Sequence, residues 1–335
     1  MDKKLVIKLI SFWCVISFLS IPALAGDKKF LLNVGSAWPS TTEIARNFTN
    51  NLFPMIQKGT RENIKLIWKS GPELIAARDL PSSAAAGVID IFLSSPGYLA
   101  GQVKEGAIWD AYPLYRSYES TPRQFAEIKK VLDPIYEKKT KIKLLAMNNI
   151  HRFYIWTKEP VHSIKELQGR KIRAHGGLVP YVVRGIGAVP TTIPTAEVYM
   201  ALERGVVKGS ARPLTSLSSY KEYEVARYGI NETITWGTGL VYISMKSWKK
   251  LGAQLQDELM AICQKFTEVS AEYWQKRHDD LKKELTSQGK IEWYEMSAKE
   301  RNEWKELVAA GGMDGVKTLS HTIGPKIVDI FKKYK

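Results

Sequence analysis

From Gln254 to Ser287 the chain runs without a proline or a glycine. Along it Leu255, Leu259, Ile262, Phe266, Val269, Tyr273 and Leu281 recur at three- and four-residue spacing, which marks one apolar helix face. At the helical rise per residue this predicts a rod about 50 Å long. Such a rod is long enough to run across two domains. The chain length of 335 residues agrees, since it corresponds to roughly two domains of ordinary size. No internal repeat and no low-complexity linker is present, so the two units are expected to be joined by close crossings of the chain.

Before the long helix, strand and helix patterns alternate. Phe30–Gly35 reads as a strand, and Ile44, Phe48, Leu52 and Ile56 then form a helical stripe. Asn63–Lys69 alternates like a strand, Glu73–Ala86 reads as a helix despite Pro81, and Val88–Ser94 is an apolar run suited to a buried strand. That order predicts a mainly parallel sheet flanked by helices. A second set, with a sheet of its own, is expected from residue 142. Its strands are Ile142–Met147, Phe153–Thr157, Lys171–Arg173 and Val206–Ala211, and its helices Leu178–Ile186 and Ala196–Arg204. Gly239–Met245 and Lys290–Trp293 are further strand candidates. Ser163–Glu166 and Ser297–Glu300 have capping-box spacing. The fold class is therefore α/β.

Lys3, Lys4 and Lys8 precede an uncharged run from Leu9 to Ile21, and Ala23-Leu24-Ala25 follows it. A basic start, a short apolar stretch and a small-x-small ending describe a secretory signal peptide over residues 1–25. Export to the periplasm is expected. The exported chain keeps Cys263 alone of its two cysteines, so no internal disulfide is available, and Cys263 is expected to be a core residue. Lys and Arg number 49 against 34 Asp and Glu, a net charge of +15. Removing residues 1–25 takes away three lysines and one aspartate and leaves +13. Such an excess admits polyanions or small anionic ligands as partners. Secretion, and basic residues dispersed along the chain, weigh against nucleic acid.

Catalytic signatures are missing. No nucleophile elbow, HExxH helix, Walker loop or CxxC pair occurs. His151, His162, His175, His278 and His321 share no metal-ligand spacing, so neither a metal nor a cofactor is expected. Glu222 and Glu224 read as a solvated face. What remains is arginine near strand ends: Arg152 ahead of Phe153–Thr157, Arg173 closing Lys171–Arg173, and Arg212 after Gly209-Ser210-Ala211. Ligands of α/β sheets bind outside the carboxyl ends of the strands. A guanidinium there presents a planar fork to carboxylate or phosphate.

The run Ile164-Lys165-Glu166-Leu167-Gln168-Gly169-Arg170-Lys171-Ile172-Arg173 resembles the "dlkGlKiR" segment of DctP-type solute-binding proteins, which serve tripartite ATP-independent periplasmic (TRAP) transporters. Gly187-Ala188-Val189-Pro190 is similar to their "lGa-P". Ala196–Gly209, reading AEVYMALERGVVKG, is similar to "sEvY-ALq-GvvDG", and Ala85–Ile91 to "v--G-iDm". The resemblance covers most of the exported chain in order. It implies a two-lobed periplasmic-binding-protein fold, each lobe a mainly parallel sheet with flanking helices, and a long helix crossing both. Lobe I is then 26–149 plus 238–277, lobe II 150–237 plus 278–305, and the C-terminal helices of 306–335 pack on lobe I.

The function implied is capture of a small organic acid by cleft closure, and its delivery to TRAP permease subunits in the membrane. The protein is then not an enzyme, and is expected to be a monomer. The carboxylate-holding arginine of the resembled motif matches Arg173, and Arg152 matches a second arginine lining the pocket. Arg212 stands where relatives often carry Asn. Either the ligand brings a second anionic group to it or an acid such as Glu197 neutralises it. By the same layout Trp38, Glu73, Ser95, Tyr98, His175, Thr195 and Trp236 are further candidates, with Trp38 and Tyr98 covering an apolar ligand body. Hinges are expected near 148–151 and 236–239. Competing readings are the receptor of another transporter or sensor, a secreted enzyme acting on acidic substrates, and a cationic protein binding nucleic acid or lipopolysaccharide.

Overall fold

The computed structural model describes residues 29–110 and 117–334, and the expected signal peptide lies outside them. Its strands in chain order are β1 (Phe30–Ser36), β2 (Ile64–Ser70), β3 (Ile91–Ser94), β4 (Ile142–Thr157) and β5 (Lys171–Ala174). β6 (Val189–Thr192), β7 (Gly209–Pro213), β8 (Tyr228–Ile230), β9 (Thr235–Ser244) and β10 (Glu292–Tyr294) complete the set. β1 pairs in parallel with β2 and β3, and β5 in parallel with β6 and β7. Between these parallel flanks run β4 and β9, antiparallel to each other.

The two sheets expected as separate are thus one sheet, in the order β2-β1-β3-β9-β4-β7-β5-β6, with β8 and β10 at its margin. Ile142–Met147 and Phe153–Thr157 are the two halves of the single 16-residue β4. The Asn148-Asn149 pair that reads like a break is instead absorbed as a bulge, where the register slips between Met147 and Asn149. Side chains receive the displaced backbone: the Asn148 carbonyl accepts from Trp274 Nε1 at 2.7 Å and from Asn47 Nδ2 at 3.0 Å. A buried carbonyl without such donors would be costly.

Burial divides into three apolar clusters. The largest joins β1, β3, the first half of β4 and much of β9. The other two lie on opposite faces of the second half of β4. Phe153 and Ile155 enter one, Tyr154 and Trp156 the other, as strand alternation requires. The long helix bridges them, with Leu259, Cys263, Phe266 and Trp274 in the first cluster and Leu281 and Leu285 in the third. It extends over Met245–Ser287, broken at Gly252, whose φ of 75° is not helical. Val269 and Tyr273 of the expected stripe are exposed, and the buried line passes through Ser270, Trp274 and His278 instead. Cys263 is buried, and burial pushes its thiol up to about 12.

Other elements differ in their bounds. The helix expected over Glu73–Ala86 is regular only over Leu80–Ala86. Pro81 sits in its first turn, where the missing N–H costs nothing. The capping box at Ser297 is formed, and opens the helix Ala298–Leu319. At Ser163 the chain makes only the 3₁₀ turn Ile164–Leu167, with no side-chain cap. The helix Thr121–Thr140 was not anticipated, because Pro122 and Pro134 disguise its pattern. No helix among the described residues is long and apolar enough to cross a membrane.

Candidate functional site

The carboxyl ends of the parallel strands face one cavity of about 40 Å³ between the lobes. β1 delivers Trp38 two residues past its end, and β3 delivers Ser95 and the turn Pro96–Leu99 carrying Tyr98. From the other side β5 brings Arg173 and His175, β6 leads to Thr195, and β7 brings Arg212. His151 and Phe153, alternate residues of β4, close the floor. Seven of the ten residues expected at the site therefore meet there.

Arg173 is fully buried. Its Nε donates to the Ile193 carbonyl at 2.8 Å and its Nη2 to Thr195 Oγ1 at 3.3 Å. Its Nη1 is buried and has no partner. Burial, and after it the neighbouring Arg212, push its pKa down to about 10, so the guanidinium stays charged at neutral pH. A buried charged donor left without a partner beside a cavity is a position for an anion.

Thr195 Oγ1 is the junction of the site. It accepts from Arg173 and, at 3.2 Å, from Arg212 Nη1, and it lies 2.9 Å from Tyr98 Oη. A hydroxyl has two acceptor sites and one proton. With both acceptor sites taken, the Thr195 proton goes to Tyr98 Oη, and the Tyr98 proton is left to donate elsewhere. The bond also ties the two lobes together.

Arg212 is already neutralised. Its Nε and Nη2 fork onto both carboxylate oxygens of Glu222, at 2.9 and 2.5 Å. Both side chains are buried, and the Tyr220 ring lies 5.4 Å from the guanidinium. The acid that serves Arg212 is therefore Glu222, and Glu197 is exposed. Glu222 reads as solvated because nothing near it in sequence is apolar in a helical pattern. Its burial comes from a reversal at Lys221, which takes a left-handed backbone with φ of 52°.

Asp110 and His151 are further residues that the motifs do not mark. Asp110 is fully buried; its Oδ1 accepts from the Thr238 amide at 3.2 Å and its Oδ2 lies 3.3 Å from His175 Nε2. The carboxylate accepts, so His175 Nε2 is the donor to it, and the other ring nitrogen, Nδ1, is buried and without a partner. Gly176, at φ 113°, lets the backbone after β5 approach the opposite lobe. A Cβ there would stand 3.2 Å from the Gly97 carbonyl oxygen. His151 is pushed down to about 3 by burial and stays neutral, with Nε2 unpartnered.

Three expected site residues lie elsewhere. Arg152 neighbours His151 and Phe153 on β4, so alternation turns it to the other face; its guanidinium lies 5.6 Å from the Tyr118 ring and 5.2 Å from the Trp236 ring. Trp236 is its register partner on β9 and faces the same way, away from the cavity. Glu73 is exposed and accepts from the Gly71 amide at 2.9 Å, holding its own loop. Among the described residues no group of three or more His, Cys, Asp or Glu is placed to hold a metal ion.

Residues 34–311 match the family model DctP, bacterial extracellular solute-binding protein, family 7. An uncharacterised protein of Salmonella typhimurium is 22% identical over 268 residues, 78% of this chain and 81% of that protein. Among solved structures, a Bordetella pertussis extracytoplasmic solute receptor binding pyroglutamic acid superposes with a TM-score of 0.79 at 16% identity, covering 90% of this chain and 99% of that one. A TRAP periplasmic solute-binding protein of Bordetella bronchiseptica with bound mandelate superposes at 0.77 with 22% identity, covering 91% and 98%.

Proposed function

The chain belongs to the DctP family of bacterial extracellular solute-binding proteins, and from that premise we propose that it captures a small organic acid in the periplasm and hands it to a TRAP permease. The observation that carries this reading is the buried Nη1 of Arg173, unpartnered at the cavity between the lobes. The ligand carboxylate docks there and takes a second hydrogen bond from Tyr98. Closure then excludes water, which strengthens each charge-assisted bond. The chain bends where β4 and β9 cross between the lobes, at 148–151 and 236–239, and the bulge at Asn148 supports that place for a hinge. The division into lobe I (26–149 and 238–277) and lobe II (150–237 and 278–305) is supported in the main by the apolar clusters, with Ile150, Leu178 and Trp236 reaching into the first, and the helix Ala298–Leu319 leads back toward lobe I, with Val308 in the second cluster and Val316 in the first. Removal of residues 1–25 on export and action as a monomer complete the proposal. No bond is made or broken.

Thermal-shift measurement against a panel of organic acids tests it. A true ligand at one hundred times its dissociation constant adds about 2.7 kcal/mol. Arg173→Lys keeps the charge and loses the fork, and is expected to weaken that ligand by tenfold or more. A panel in which no acid raises the melting temperature overturns the reading.

A further inference from the structure

Resting on that reading, we propose that the site selects monocarboxylates that carry a hydrogen-bond donor beside the carboxylate, and that Glu222 sets this selection by withdrawing Arg212 from the ligand. Two guanidinium groups border the cavity, which on a count of cations alone would suit a dicarboxylate. Only one has an uncompensated charge. Both oxygens of Glu222 are engaged by Arg212 in a buried fork, and a third of the five Arg212 N–H groups goes to Thr195. The pair is neutral, so Arg173 alone faces the ligand with an unspent charge.

The rest of the wall agrees. Asp110 takes the Nε2 side of His175, and its other ring nitrogen, Nδ1, is buried without a partner. A ligand hydroxyl or amide N–H satisfies that nitrogen. Trp38, Ile44 and Phe153 supply apolar surface, and about 40 Å³ of free space favours a compact body. A second carboxylate would enter without a counter-ion, at the high cost of burying an unpaired charge.

Isothermal titration of the exported chain with lactate, 2-hydroxybutyrate, pyroglutamate and mandelate, set against succinate, malate and 2-oxoglutarate, tests the inference. The expected result is binding of at least one of the first group, at least tenfold tighter than every dicarboxylate. In Glu222→Gln the freed Arg212 is expected to narrow that ratio by tenfold or more, a change that a merely structural role for Glu222 would not produce. If a dicarboxylate binds the unmodified chain as tightly as the best monocarboxylate, this inference falls while the acid-capture reading stands. If none of the acids binds, both fall. The comparison on the unmodified chain decides even where the Glu222 variant fails to fold.

Discussion

Thr195 holds three groups in place with one oxygen, and the direction of its proton has a consequence for Tyr98. Because Arg173 and Arg212 both donate to Thr195, Tyr98 accepts from it, and its own O–H is left to donate to the acid of the proposed function. Tyr98→Phe removes that donor with little loss of packing, since the ring is half-buried. A hydrogen bond to a charged acceptor contributes about 1.5–3 kcal/mol, so the variant is expected to weaken acid binding by tenfold or more, read by titration calorimetry, and to lower the melting temperature of the free protein through loss of the bond to Thr195. Arg173 and Arg212 were legible in the sequence because strand-end position is a local property. Glu222 was not, because its burial depends on where β7 and the turn after it stand relative to each other. Arg152 misled for a related reason: a one-residue step along a strand reverses the face.

At the scale of elements, the short helix Val179–Gly185 lies against the helix Ala298–Leu319 at backbone distance. A Cβ on Gly311 would stand 2.6 Å from the Tyr181 carbonyl oxygen and 3.0 Å from Val182 Cα, and neither is the end of a flexible side chain. Gly311→Ala must therefore push the two helices apart. Overpacking of this kind costs about 1–3 kcal/mol, which urea denaturation would register as a lower midpoint. Gly101→Ala, where nothing lies within 4 Å, is the control and should leave the midpoint nearly unchanged. A fall as large in the control would refute the close-contact account. Sequence spacing showed both helices but not this contact, since a glycine inside a helix reads only as a weak point. The long helix was more legible: thirty-odd residues without a breaker are a local signal, whereas the exact buried line depends on which neighbours cover it, and His278 rather than Tyr273 turns inward.

Over the whole molecule, the two lobes share β4, β9 and the long helix, and two histidines are buried along the seam where these meet. His151 lies edge-on to Trp274, with ring centroids 4.5 Å apart, and burial with His278 nearby holds it down to about 3. His278 is stacked on Tyr154, with Nε2 3.1 Å from the phenol oxygen; burial first, then Arg152 and Lys282, hold it down to about 4. Both values lie below the ordinary 6.5, so between them and 6.5 the unfolded chain binds protons that the folded chain refuses. The stability they protect is complete above pH 6.5 and is lost as the pH falls toward 4 and then 3. At pH 5 the loss is about 2 kcal/mol for each histidine, by the linkage between pKa and stability. Urea denaturation at pH 7.5 and pH 5 should show this fall. Because His278 is outside the cavity, His278→Gln keeps a donor for Tyr154 without the titration, and is expected to recover about half of the loss while leaving acid affinity at pH 7.5 unaltered. An equal fall in that variant would mean that the acid sensitivity arises elsewhere than in the seam.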